Sequence, residues 1–287
     1  MCPSPSPTCE SLTRSRFSAY GLTPGDREAS SLVRAFEIDA DLTDAGLWMI
    51  ARGERSALEL YAATPSFRYT RLDLDDEGAS GEGAVDGETA VRLAEGWLNQ
   101  FGAEPDPSLR YRTQGKPILH SVTNHEVLIS ERERREPRSM IVGTDVNYAF
   151  EYDGLPLLGS GAKAKISIHP TSAVSNAYRF ARNLDPVGTT TIRSTNELLE
   201  RFAGSHLFAD VTDETARARV DSVRFGWLTL PPTEHMNVLL PAIEVRGSLA
   251  TEAQTYDFIK YVAAARADEA EEKAKWRLNA RPGLLIA

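Results

Sequence analysis

Apolar and polar residues alternate with a period of two along much of the chain, and this pattern predicts strands. Short strands are expected over residues 31–38, 47–51 and 57–61. Next, Phe67, Tyr69, Arg71 and Asp73 alternate with Arg68, Thr70, Leu72 and Leu74. Further strands are expected over 109–114, 118–121, 125–132, 141–152, 162–169 and 174–182. In the fourth of these, Val146, Tyr148, Phe150 and Tyr152 share one face. A last pair covers 219–230 and 237–249, separated by Pro231-Pro232.

Helical spacing interrupts this pattern at three places. Over residues 88–101, Val91, Ala94, Leu98 and Phe101 form a stripe. Asp86 is placed to cap its start and Gly102 to end it. Trp97 lies beside the stripe and reads as core. The run Ser194-Thr195-Asn196-Glu197 is a capping box that opens a second helix, with Leu198, Leu199 and Phe202 on its apolar side and Gly204 as its stop. A third helix is expected over 263–278, supported by Glu269 with Lys273 and Glu271 with Lys275.

A capped helix followed by antiparallel strands thus occurs twice. The expected fold is α+β, with antiparallel sheets packed against helices in two similar subdomains. The expected division is a disordered tail over 1–15, an N-terminal subdomain over 16–185 and a C-terminal subdomain over 186–287. Asp153-Gly154 marks a turn, and Gly159-Ser160-Gly161 marks another. The acidic, Gly-rich run over 75–83 reads as a loop, with 78–83 as a possible lid.

Composition narrows the function classes. The 287 residues are 41% hydrophobic and 25% charged, so a sizeable core is available. The formal net charge of −9 repels phosphate backbones and anionic lipid, so neither nucleic acid nor membrane is an expected partner. The local exception, Glu131-Arg132-Glu133-Arg134-Arg135, interleaves its signs and reads as a solvated loop or strand end. Both cysteines, Cys2 and Cys9, fall in the proline-rich start, so no thiol nucleophile or disulfide framework is expected in the body. No basic region followed by an apolar run opens the chain, and no stretch approaches about 18 consecutive apolar residues. A cytoplasmic location is the expectation.

The run Asp153-Gly154-Leu155-Pro156-Leu157-Leu158-Gly159-Ser160-Gly161-Ala162-Lys163-Ala164-Lys165-Ile166 resembles a Gly-Leu-Pro segment of bacterial PepSY-like proteins. Tyr178-Arg179-Phe180-Ala181-Arg182 follows where those proteins carry an aromatic residue and an arginine, and 239–247 resembles one of their strands. The resemblance is diffuse and spans about residues 30–262. It implies duplicated helix-plus-strands domains and a binding or regulatory role, and it supplies no catalytic residue. Such proteins are mostly exported or membrane-attached, whereas this chain opens without a signal-peptide pattern.

Candidate chemistry is sparse. The histidines His120, His125, His169, His206 and His235 form no metal-binding spacing, although His120 and His125 are expected on neighbouring strands of one hairpin. Gly159-Ser160-Gly161 joins two strands, so it suits neither a nucleophile elbow nor a phosphate loop. No catalytic residue, cofactor or metal is indicated.

The strand after that turn places Lys163, Lys165, Ser167 and His169 on one face, either a wet sheet face or the polar wall of a cavity. Tyr148, Tyr152, Tyr178, Arg182, Trp227, Glu244 and Arg246 fall on predicted nearby strands. Together with the lysines and His169 they make the candidate ligand-binding set. Two functions follow. One is a small-molecule-binding protein acting as a cofactor-independent cyclase or isomerase on a largely apolar intermediate, in a cavity between helices and sheet. The other is a non-enzymatic regulatory module that docks a protein.

Overall fold

The structure is a computed structural model that describes residues 9–15, 27–64, 66–74, 83–101, 116–129, 138–180, 184–204, 216–234, 236, 239–252 and 254–265. Strands dominate it. In chain order the elements are β1 (Cys9–Ser15), α1 (Arg27–Ala35), β2 (Thr43–Asp44), β3 (Trp48–Arg52), β4 (Ser56–Tyr61), β5 (Phe67–Arg71) and α2 (Gly87–Phe101). Then follow β6 (Lys116–Ile129), β7 (Arg138–Tyr152), β8 (Leu155–Gly159), β9 (Lys163–Ile168), β10 (Val174–Phe180) and β11 (Leu184–Thr190). The described chain ends with α3 (Thr195–Ala203), β12 (Arg217–Thr229), β13 (Leu240–Ala250) and β14 (Thr255–Ala263).

Twelve strands form one mixed sheet in the order β14-β13-β12-β8-β7-β9-β10-β5-β4-β3-β2, with β6 on the free side of β7. Neighbours are antiparallel except β8 and β12, which run parallel. The strands β1 and β11 make a separate antiparallel pair. The sheet is therefore continuous across residue 185, the boundary expected between two subdomains, because β12 joins β8.

Two turns set up that junction. Asp153 (φ 52) and Gly154 (φ 72) both adopt left-handed backbone, the conformation a two-residue hairpin needs, and Tyr152 pairs with Leu155 across it. At its far end β8 lies against β12 so closely that side chains would collide. A Cβ on Gly226 would meet the Pro156 carbonyl oxygen, and one on Gly159 the Thr229 carbonyl oxygen. Glycine is what lets the two backbones meet. The Thr229 hydroxyl then donates to the Leu158 carbonyl at 2.6 Å.

The main core lies between one face of the sheet and helices α1 and α2. Asp86 caps α2 as expected, its carboxylate accepting from the Thr89 amide at 3.0 Å. Ala90, Ala94, Trp97 and Leu98 then recur on one face and are buried. Val146, Phe150, Ala164, Ile166 and Ile168 meet them from β7 and β9. Phe36, just after α1, stacks on Tyr69 at 4.9 Å and sits 6.0 Å from Trp97. A smaller core sets Leu198 of α3, with Phe202 packed against it, on Ile243, Val245, Phe258 and Val262. The predicted capping box of α3 is present, with the Glu197 carboxylate accepting from the Ser194 amide at 2.7 Å.

Four expectations are corrected. Residues 31–38 are not a strand. Ala29, Leu32, Val33 and Phe36 follow helical spacing and bury one side of α1 and its end, and the adjacent apolar pair Leu32-Val33 blurs that period. Within the expected tail, Cys9–Ser15 is a strand paired with β11. The expected strands 118–121 and 125–132 are one strand, β6, so His120 and His125 share it and do not face each other across a hairpin. Where a helix was expected to begin at 263, β14 ends at Ala263. Residues 266–278 of that helix, the strand over 109–114, most of the loop over 75–83 and the charged run 131–135 lie outside the described residues.

Candidate functional site

The strand alternation that fills the core with Ala164, Ile166 and Ile168 turns Lys163, Lys165 and Ser167 to the sheet's other face. Register then assembles a site there. On β10, Phe180 lies opposite Lys163, Tyr178 opposite Lys165, and Asn176 opposite Ser167. Arg68 of β5 lies opposite Tyr178 on the other side. Tyr61, His125, Arg68, Lys165, Ser167, Asn176, Tyr178 and Phe180 line an open groove of about 390 Å³, and Lys163 borders it over the rings of Tyr178 and Phe180.

One half of the groove is aromatic. Tyr178 stacks on Phe180 at 4.7 Å, and Tyr61 meets Phe180 edge-on at 5.4 Å. Trp48 extends the row beyond Tyr61 at 6.3 Å. The Lys163 amine lies over this surface, 5.7 Å from the Tyr178 ring and 5.9 Å from the Phe180 ring. Burial pushes the Lys163 amine below its ordinary pKa. Burial raises the Tyr178 phenol, with Asp145 adding to it, and raises that of Tyr61, with Glu59 adding to it. Among the described residues no carboxylate pairs with Lys163.

The other half is a hydrogen-bonded cluster around Asp145, which is 7% exposed. Its Oδ2 lies 2.6 Å from the Lys165 amine, and its Oδ1 accepts from the Ser167 hydroxyl at 2.6 Å. His125 Nδ1 lies 3.6 Å from the same Oδ1. Serine, histidine and aspartate therefore meet, but in the wrong order for a hydrolase. Ser167 and His125 each face the acid and not each other, so no imidazole is placed to take the serine proton. Asp145 engages Lys165, whereas Lys163 has no carboxylate partner among the described residues.

A second polar cluster lies on the far limb of the sheet. Arg224, Glu244 and Tyr261 form one rung across β12, β13 and β14. Glu244 is 2% exposed, and its Oε1 accepts from Arg224 Nη2 and from Arg246 Nε, each at 2.6 Å. Burial pushes the Glu244 carboxyl up, but the hydrogen bonds from Arg246 and Arg224 outweigh it and hold its pKa below the ordinary value. Burial, with Glu244 adding to it, raises the Tyr261 phenol to about 12.

The sequence-derived candidates thus separate. Lys165 and Tyr178 line the groove, and Lys163 lies over the Tyr178 ring at its border. Glu244 and Arg246 belong to the second cluster. Tyr148 faces the core and is 5% exposed, and its hydroxyl has no hydrogen-bond partner among the described residues. Trp227 is fully buried, and Tyr152 packs on it at 6.4 Å. His169 is buried in the turn after β9, where its Nδ1 accepts from the Thr171 amide at 3.2 Å, which puts the proton of the neutral ring on Nε2. Arg182 lies outside the described residues. Asp145, Arg68, Tyr61 and Phe180 were not singled out from sequence. The signal for Asp145 was available: it opposes the apolar face of Val146, Tyr148 and Phe150 in the middle of a strand.

Among the described residues no group of His, Cys, Asp and Glu could hold a metal ion, and no helix is long and apolar enough to cross a membrane. No family model matches the chain, and no curated protein matches it. Among solved structures, the chain is similar to an uncharacterized protein from Eubacterium rectale, with 11% identity, 90% of this chain and 85% of that one covered, and a TM-score of 0.45. It is also similar to YycH from Bacillus subtilis, with 10% identity and a TM-score of 0.41, where 87% of this chain matches 52% of YycH.

Proposed function

We propose that the chain is a small-molecule-binding protein whose groove takes an anionic ligand with a flat, apolar body. The carrying observation is Lys163, a half-buried ammonium lying over two stacked rings with no carboxylate paired to it among the described residues. A ligand acid group would supply the missing charge, and its body would lie on Tyr178, Phe180 and Tyr61. Asn176 and Arg68 add polar contacts at the edge.

Binding fits this geometry better than cyclisation or isomerisation. The Asp145 carboxylate beside the groove is engaged by Lys165 and Ser167, and the groove lining carries no carboxylate among the described residues. The space between α1, α2 and the sheet, where a substrate cavity was expected, is filled by side chains such as Trp97, Ile166 and Phe150.

The test is a calorimetric comparison of aromatic carboxylates with their neutral amides. The acids bind at least tenfold tighter in the wild-type protein, and Lys163→Met removes the difference. Equal affinity for acids and amides would rule the reading out.

A protein-docking role has its own support. β6 is a 14-residue strand that pairs only with β7 among the described residues, and it exposes Leu119, Val122, Val127 and Leu128. Such an edge accepts an added strand. Leu128→Lys would weaken that docking and leave aromatic acids bound at Lys163 unaffected.

A further inference from the structure

The cluster on β12, β13 and β14 has more positive charge than its buried carboxylate needs. Glu244 must be paired, because an unpaired ion at that depth is costly. Arg224 alone does this, donating from Nε at 3.0 Å and from Nη2 at 2.6 Å. Arg246 nevertheless brings a second guanidinium to the same oxygen, Oε1, through its Nε at 2.6 Å. Two cations and one anion leave a net positive cluster on the sheet face opposite α3.

The spare donors point outward. Each guanidinium carries about five N–H groups in a rigid fork. Arg224 commits two of its nitrogens to Glu244 and Arg246 commits one, and both side chains remain 45% exposed. No other acid pairs with either arginine among the described residues. Asp221 is held by Arg219 at 2.7 Å, and the groups acting electrostatically on Arg246 are Glu244 and Tyr261. Glu244 thus works as a buried pin that holds two forks side by side with their open ends to solvent.

We infer that Arg224 and Arg246 form an oxyanion-binding site, taking a phosphate or carboxylate group of a ligand by charge-assisted hydrogen bonds. Glu244 and Tyr261 position the forks and do not touch the ligand. The site is separate from the groove at Lys163 and stands whether or not the groove binds an aromatic acid.

The experiment follows the arginine Nε–Hε resonances of the full chain during titration with inorganic phosphate, with acetate, and with sodium chloride at matched ionic strength. Saturable, concerted shifts of Arg224 and Arg246 with phosphate or acetate, absent with chloride, are expected. The tighter of the two anions identifies the ligand group. Arg246→Lys keeps the charge but loses the fork, and weakens binding tenfold or more. Ser222→Glu leaves both arginines in place and sets a carboxylate directly opposite Arg246, so it abolishes the response without disturbing the pin. Shifts that follow chloride equally, or a phosphate response that survives Ser222→Glu, overturn the assignment.

Discussion

Asp145 and Lys165 stand diagonally across β7 and β9, and their charged atoms meet at 2.6 Å. That contact makes Lys163 and Lys165 unequal although both belong to one strand face. Lys165 is neutralised and held, and Lys163 is left over the aromatic row.

The inequality has a pH signature. Burial lowers the Lys163 pKa in the folded state, so the unfolded chain binds its proton more tightly. Stability therefore gains a component as pH rises from the folded value toward the ordinary 10.5. Lys163→Met lacks this gain. Urea midpoints of both proteins at roughly pH 8.5 and pH 10 check it, and the tyrosine titrations, common to both proteins, cancel in the comparison. A wild-type curve parallel to the variant's would contradict the burial argument.

Tyr148 hides a hydroxyl without a partner among the described residues, and burial, with Glu95 adding to it, pushes its pKa to about 12. Removing the oxygen removes an unmet desolvation cost, so Tyr148→Phe keeps stability or raises it by about 1 kcal/mol. A raised pKa contributes stability below 10 that is lost as pH climbs through the folded value. The variant therefore loses less stability than the wild type between pH 10 and about 12. Thermal melts at neutral and alkaline pH test both parts, and a loss above about 2 kcal/mol at neutral pH would show that the hydroxyl has a role.

Glu244→Gln takes the charge from the pin and leaves two guanidiniums facing each other. It costs roughly 1–3 kcal/mol at neutral pH. The carboxyl's pKa is depressed in the fold, so its contribution is present above 4.5 and fades as pH falls through the folded value. The gap between wild type and variant should close under acid. Chemical denaturation at neutral pH and near pH 3 measures that gap; an unchanged gap refutes the linkage.

Gly226→Ala drives a methyl group onto the Pro156 carbonyl oxygen, backbone that cannot swing aside. The expected loss is about 2 kcal/mol or more, as for overpacked cores. Gly96→Ala, where an added Cβ meets nothing within 4 Å, is the control and should hold or gain stability. Equal melting temperatures for the two variants would mean that β8 and β12 can separate at little cost.

Local signals were read well from sequence wherever they rest on a few neighbouring residues. The Asp86 cap, the Ser194–Glu197 capping box, the Asp153-Gly154 turn and the two faces of β9 all appear in the structure. Apart from α1, what failed depended on distant chain. β1 exists because β11 pairs with it, and nothing in Cys9–Ser15 marks a strand partner as distant as Leu184–Thr190. α1 was read as a strand because its apolar residues crowd together. The candidate site was half legible for the same reason. The polar face of β9 follows from alternation, but register with β10 and β5 brings Phe180, Tyr178 and Arg68 onto it, and register cannot be read from one strand.

The junction of β8 with β12 also sets the order of assembly. The Leu158 carbonyl and the Thr229 hydroxyl that reaches it are 71 residues apart. During synthesis β8 leaves the ribosome well before the strand that closes its edge. Until then Leu157 and Leu158, buried in the finished molecule, border an open strand edge. This is the interval in which a nascent chain is most exposed to wrong pairing, and slowing translation between these segments would lengthen it.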